Sequence, residues 1–133
     1  MLQRDYFLRL IEEFQAALSR FIEKAEGERK DMELRDLYRQ YVGSYDVVRN
    51  LSFDELLAYS REQWQESERM ERLNFAAELL YAEACDKPNP LRAMLMEKAL
   101  KLYVYLDANS GVMSIDRRQK MEKIVSEIGK PEK

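Results

Sequence analysis

The sequence contains no histidine. That absence removes Ser–His–Asp and Cys–His nucleophile systems, imidazole acid–base catalysis and zinc sites that include histidine. A single cysteine, Cys85, allows no intramolecular disulfide, no cysteine-rich metal site and no C-x-x-C redox motif. Such sparing use of cysteine fits a reducing compartment. Only four glycines and three prolines interrupt the 133 residues, and neither G-x-x-x-x-G-K nor G-x-G-x-x-G occurs, so phosphate loops of those kinds are excluded. The longest strictly apolar runs, such as LYVYL at 102–106, fall far short of a membrane span. The opening stretch MLQRDYFLRL has charges at Arg4, Asp5 and Arg9 where a signal peptide needs an apolar region. These absences lead us to expect a soluble, cytoplasmic protein with no membrane partner.

What the chain does contain is 46% hydrophobic and 35% charged side chains, a composition suited to helices with few turns. The net charge of −3 gives nucleic-acid binding no global electrostatic support. Charge is uneven: residues 51–86 hold three basic and nine acidic side chains, net −6, whereas 87–133 hold ten basic and six acidic, net +4. Either this is a mixed-sign solvated surface, or the acidic middle faces the basic end, within one chain or between two.

Apolar spacing divides the chain into five or six helices in a single domain, 1–133, with no segment alternating like a strand. Leu2, Tyr6, Leu10, Phe14, Leu18, Phe21 and Ala25 recur at steps of three and four, which predicts a long amphipathic helix over about 2–29. That stripe suits core packing, or pairing with a helix of another chain. A second helix spans about 31–42 through Leu34, Leu37 and Tyr41, with Gly43 as terminator. GSYDVVRN then reads as a connector. SFDE at 52–55 is a capping box that opens the next helix, with Leu51 and Leu56 as a hydrophobic staple. The charged stretch 60–72 either continues that helix or breaks it near residue 60, leaving 53–86 as one helix or two. Met70, Leu73, Ala77, Leu80 and Ala84 carry a core-facing helix to DKPNP, where Asn89 caps the next helix and Pro90 occupies its first turn. The helix over about 90–109 is apolar around most of its circumference and is expected in the middle of a bundle. A short helix over about 114–128 ends at Gly129.

Leu73-x2-Ala76-Ala77-x2-Leu80 followed by Ala99-x3-Tyr103 resembles the tetratricopeptide repeat, whose first helix carries W-x2-L-G-x2-Y and whose second carries A-x3-F. The step from Ala77 to Ala99 is longer than in that family, and no closing proline follows. The resemblance implies a helical bundle with a tetratricopeptide-like antiparallel pair over about 61–109, whose small residues let two helices approach closely. It also implies a role in binding proteins. The whole chain is similar to small all-helical bacterial proteins.

The remaining candidates are few. RRQKMEK at 117–123 is the strongest basic cluster, with Arg117, Arg118, Lys120 and Lys123 able to grip an acidic peptide, phosphates or the chain's own 61–72 segment. Tyr59 and Trp64 are candidate partner-binding aromatics. Lys98, in a very apolar helix, is either a snorkelling side chain or a desolvated nucleophile. Cys85, near a helix C-terminus, is expected to be an inert core residue. Carboxylates such as Glu62, Glu66, Glu68 and Glu71 suit i,i+4 pairing with arginines better than a metal site. The reading that follows is a non-catalytic protein–protein interaction or adaptor module. It has no catalytic, cofactor or metal residues, and its partner is an unidentified protein or a second copy as a homodimer. The alternative is a small-molecule- or metal-binding bundle, or an enzyme using carboxylates.

Overall fold

The computed structural model describes residues 2–23 and 28–129. Among them are seven helices and no strand: α1 (Leu2–Glu23), α2 (Glu28–Tyr41), α3 (Tyr45–Val48), α4 (Phe53–Gln63), α5 (Glu66–Cys85), α6 (Leu91–Asn109) and α7 (Ile115–Ile128). The all-α class agrees with the sequence pattern, while the count exceeds the expected five to six because the connector contains a helical turn of its own, α3. Residues 53–86, which the sequence left as one helix or two, are two, parted where Trp64 and Gln65 take extended backbone angles, four residues past the expected break. The first helix ends at Glu23 and not near 29; Glu28 already belongs to α2, and 24–27 lie outside the described residues.

Local chemistry explains most helix ends. The Ser52 hydroxyl accepts from the Glu55 N–H at 3.1 Å, and the Ser52 N–H donates to the Glu55 carboxylate at 2.9 Å, completing the capping box. The Asn89 side chain accepts from the Ala93 N–H at 3.0 Å and so caps α6 across Pro90. The Ser114 hydroxyl accepts from the Arg117 N–H at 3.1 Å at the start of α7. Arg92 closes the far end of α5, donating to the carbonyls of Ala84 and Cys85.

The α5–α6 pair is the most extensive helix contact, and α5 also packs on α1, α2 and α4. Alanines at 76, 77 and 84 on α5 and Ala99 on α6 are fully buried, so little side-chain bulk separates these helices from their neighbours. The most enclosed helix is α5, which packs on four others; α6 packs on α4, α5 and α7 and leaves Met94 and Val104 exposed. Three rings hold α1, α2 and α5 together. Phe14 stacks on Phe75 at 4.3 Å between centroids, and Tyr41 meets both edge-on, at 5.1 and 5.6 Å. Each such pair contributes about 0.5–1.5 kcal/mol beyond area burial. α7 lies on α6, α3 on α2, and α4 on both α5 and α6.

Gly43 ends α2 with φ +153°, and its N–H donates to the Tyr38 carbonyl at 2.7 Å. A Cβ at this position would collide with the Tyr59 hydroxyl. Gly43→Ala is therefore expected to cost about 1–3 kcal/mol in chemical denaturation. Adding Tyr59→Phe to that variant should return part of the loss, because it removes the struck oxygen.

Candidate functional site

The enclosed helix α5 carries two carboxylates in its most apolar stretch, and each is answered in the same way. Glu83, only 2% exposed, accepts from the Tyr45 hydroxyl at 2.7 Å and from Arg49 at 3.0 and 3.2 Å. Glu78 accepts from the Tyr103 hydroxyl at 2.7 Å and pairs with Lys120. One phenol and one cation thus satisfy each carboxylate, as buried charge requires. Burial, helped by the facing carboxylate, pushes the hydroxyls of Tyr45 and Tyr103 well above the usual phenol range, so both remain donors. Burial works against the charge on Lys120, but Glu78 and Asp116 outweigh it and raise its affinity for a proton.

The Lys120–Glu78 bridge spans a cleft over α5. Its walls are Leu18, Phe21 and Ile22 from α1, with Tyr81, Ala82 and Cys85 below and Lys120 and Lys123 from α7 opposite. The cleft holds about 240 Å³. Lys30 also lines it, pairing with Asp86 at 2.8 Å and lying 4.9 Å from the Phe21 ring centroid. A second cleft of about 380 Å³ adjoins it, sharing Tyr81, Cys85 and Lys123 and reaching Arg92 and Met96. Arg92 pairs there with Glu127 at 2.9 Å. Cys85 is exposed where the two clefts meet, which corrects the expectation of a core cysteine: it is the last residue of α5, and the clefts between it and α7 leave it open.

The basic cluster divides. Arg117 is 6% exposed and turned inward, donating to Asp107 at 3.0 Å and to the Val112 carbonyl. Arg118 reaches the same Asp107 at 3.1 Å. These two arginines lock the α6–α7 joint. Lys120 and Lys123 line the main cleft, and Lys123 is exposed with no ion-pair partner among the described residues. The acidic middle and basic end do meet within the chain, through Lys120 and Glu78. Tyr59 and Trp64 meet edge-on at 5.5 Å at the α4–α5 corner, half-buried, and neither lines a cleft described above. Lys98 neither snorkels freely nor lies bare: its ammonium donates to the Arg49 carbonyl at 2.6 Å, and burial followed by the Arg49 charge lowers its proton affinity. Glu68 pairs with Arg72 at 3.1 Å as an i,i+4 bridge. Among the described residues, no three of Asp, Glu or Cys converge as a metal site, and no helix is long and apolar enough to cross a membrane.

Glu78, Glu83, Arg49 and Lys30 were not candidates from the sequence. The usable signal was AAELLYAEAC, in which two glutamates interrupt the most apolar part of a helix. The chain matches no protein-family model, no curated protein and no solved structure.

Hydrogen bonds from Arg117 and Arg118 hold the Asp107 carboxyl below its usual range, and a bond from Arg92 does the same for Glu127. A carboxylate depressed in the folded state stabilises the fold above its unfolded pKa and loses that contribution as pH falls through the folded value. Glu71, raised by desolvation, acts in the opposite sense. Melting temperature should therefore fall as the medium is acidified below about pH 4, from the ordinary carboxylate range. Asp107→Asn should flatten that acid limb; an unchanged slope would show that the α6–α7 joint does not depend on this carboxylate.

Proposed function

We propose that the protein is a non-catalytic protein–protein interaction module, and that its partner seats in the cleft between α1 and α7. The observation that carries this reading is the cleft itself: an apolar floor on the most enclosed helix, open to solvent and rimmed by Lys123. A partner that brings an apolar side chain between Ile22 and Tyr81 and a carboxylate to Lys123 would satisfy both parts. Ile22, on the α1 wall, is 57% exposed and extends the apolar contact outward. The tetratricopeptide-like resemblance supports the same role through the α5–α6 hairpin, in which Ala77 and Ala99 are both buried. Of the basic cluster, Lys120 and Lys123 serve recognition in this reading, while Arg117 and Arg118 hold the joint that places them.

The test is capture of partners by the tagged protein from lysate of its own organism, at low and moderate salt, compared with Ile22→Glu and Lys123→Glu. Both side chains are exposed, so both variants should keep the wild-type helical circular dichroism. One protein captured near stoichiometry by the wild type should be lost by at least about tenfold in Ile22→Glu, the scale of a central apolar contact. If that protein is the chain itself, the module is a homodimer built through the cleft. Equal capture by wild type and both variants, or no capture at all, would overturn the reading.

A further inference from the structure

We propose that residues 43–51 form a latch that lifts from the folded core as one unit, with the Glu83 carboxylate as the catch that holds it shut. The segment is self-contained. The N–H groups of Val47 and Val48 donate to Ser44, that of Arg49 to Tyr45, that of Asn50 to Val47 and that of Leu51 to Val48. The Asn50 side chain donates to the Asp46 carbonyl. Lifting the segment strains none of these bonds, but a lone helical turn is not stable in water, so its amides lose protection once the segment has left the core. Its boundaries are also distinct: Gly43 with φ +153° on one side and the Ser52 capping box on the other.

What fastens the segment is narrow. Val48 is its one fully buried side chain, and Val47 is half exposed. Arg35 bridges Asp46 at 2.9 Å on the exposed surface, where such pairs contribute little. The strong bonds converge on one place: Tyr45 and Arg49 both donate to Glu83, and Lys98 holds the Arg49 carbonyl. A buried ion pair regains its hydration when it opens, so this cluster holds the segment less tightly than its bond count suggests. Beneath it, the Tyr38 hydroxyl is fully buried with no hydrogen-bond partner among the described residues, and the Tyr45 ring covers Tyr38 edge-on at 5.0 Å. Opening lets water reach that hydroxyl, which offsets part of the cost. Leu79 and Leu102 beneath it are fully buried in α5 and α6, which make the most extensive helix contact of the fold. A ligand or partner that bound the lifted form would draw the population toward it.

Native-state hydrogen exchange of the full chain, at denaturant concentrations below the unfolding transition, tests this directly. The amides of Val48, Arg49 and Leu51 should share one opening that is more frequent than that of Leu79 and Leu102. Tyr45→Phe removes one hydrogen bond to the catch and should speed exchange of the segment about ten- to a hundredfold, leaving the core amides unchanged. Glu83→Gln should act in the same direction; if that variant does not fold, Tyr45→Phe decides alone. Exchange of the segment only through global unfolding, or equal acceleration of segment and core in Tyr45→Phe, would overturn the proposal.

Discussion

The enclosure of α5 constrains everything packed around it. Four helices, α1, α2, α4 and α6, lie against this one, so its buried positions must be apolar, and four of them are alanine. Small residues let neighbours come close, and close neighbours leave no room for water around any charge that remains. The two glutamates retained in that environment must therefore be matched from outside the helix. Glu83 takes its partners from the α3 region, and Glu78 takes its partners from α6 and α7.

The matching of these carboxylates fixes the position of elements that have little apolar surface of their own. α3 buries one side chain fully, and α7 buries Ile124 and Arg117. Lys120 spans from α7 to Glu78, and this bridge sets one wall of the cleft opposite the α1 side chains Leu18 and Phe21. The cleft is a consequence of packing order: α1 rests on α5, α7 rests on α6, and the space between them over α5 stays open. Its chemistry is an apolar floor with lysines at the rim.

Much of the fold was legible because it is written in short-range chemistry. The capping box at Ser52 and Glu55, the Asn89 cap before α6 and the Ser114 cap before α7 each involve residues within four positions of one another. The break at Trp64 and Gln65 was less visible, because it depends on Trp64 packing back on Tyr59 and on Arg69 reaching Ser60. That α5 is the most enclosed helix was not legible for a related reason: an apolar circumference, as on α6, reports hydrophobicity, whereas alanine on α5 reports close approach. The site was only partly legible. Lys120 and Lys123 stood out as basic residues on an amphipathic helix, but nothing local distinguishes them from Arg117, which turns inward to a carboxylate ten residues earlier. Glu78 and Lys120 lie 42 positions apart, and that pairing exists only once α5, α6 and α7 are stacked.

The central claim is that the carboxylates of α5 dock the surrounding elements and so shape the cleft. A double-mutant cycle on Glu78→Gln and Lys120→Met, followed by chemical denaturation, tests it most directly. The account predicts a coupling of about 1–3 kcal/mol between the two side chains, as expected for a partly buried, hydrogen-bonded ion pair. Additive effects, within about 0.3–0.5 kcal/mol, would contradict it, for they would mean that α7 is held over α5 by something other than this bridge.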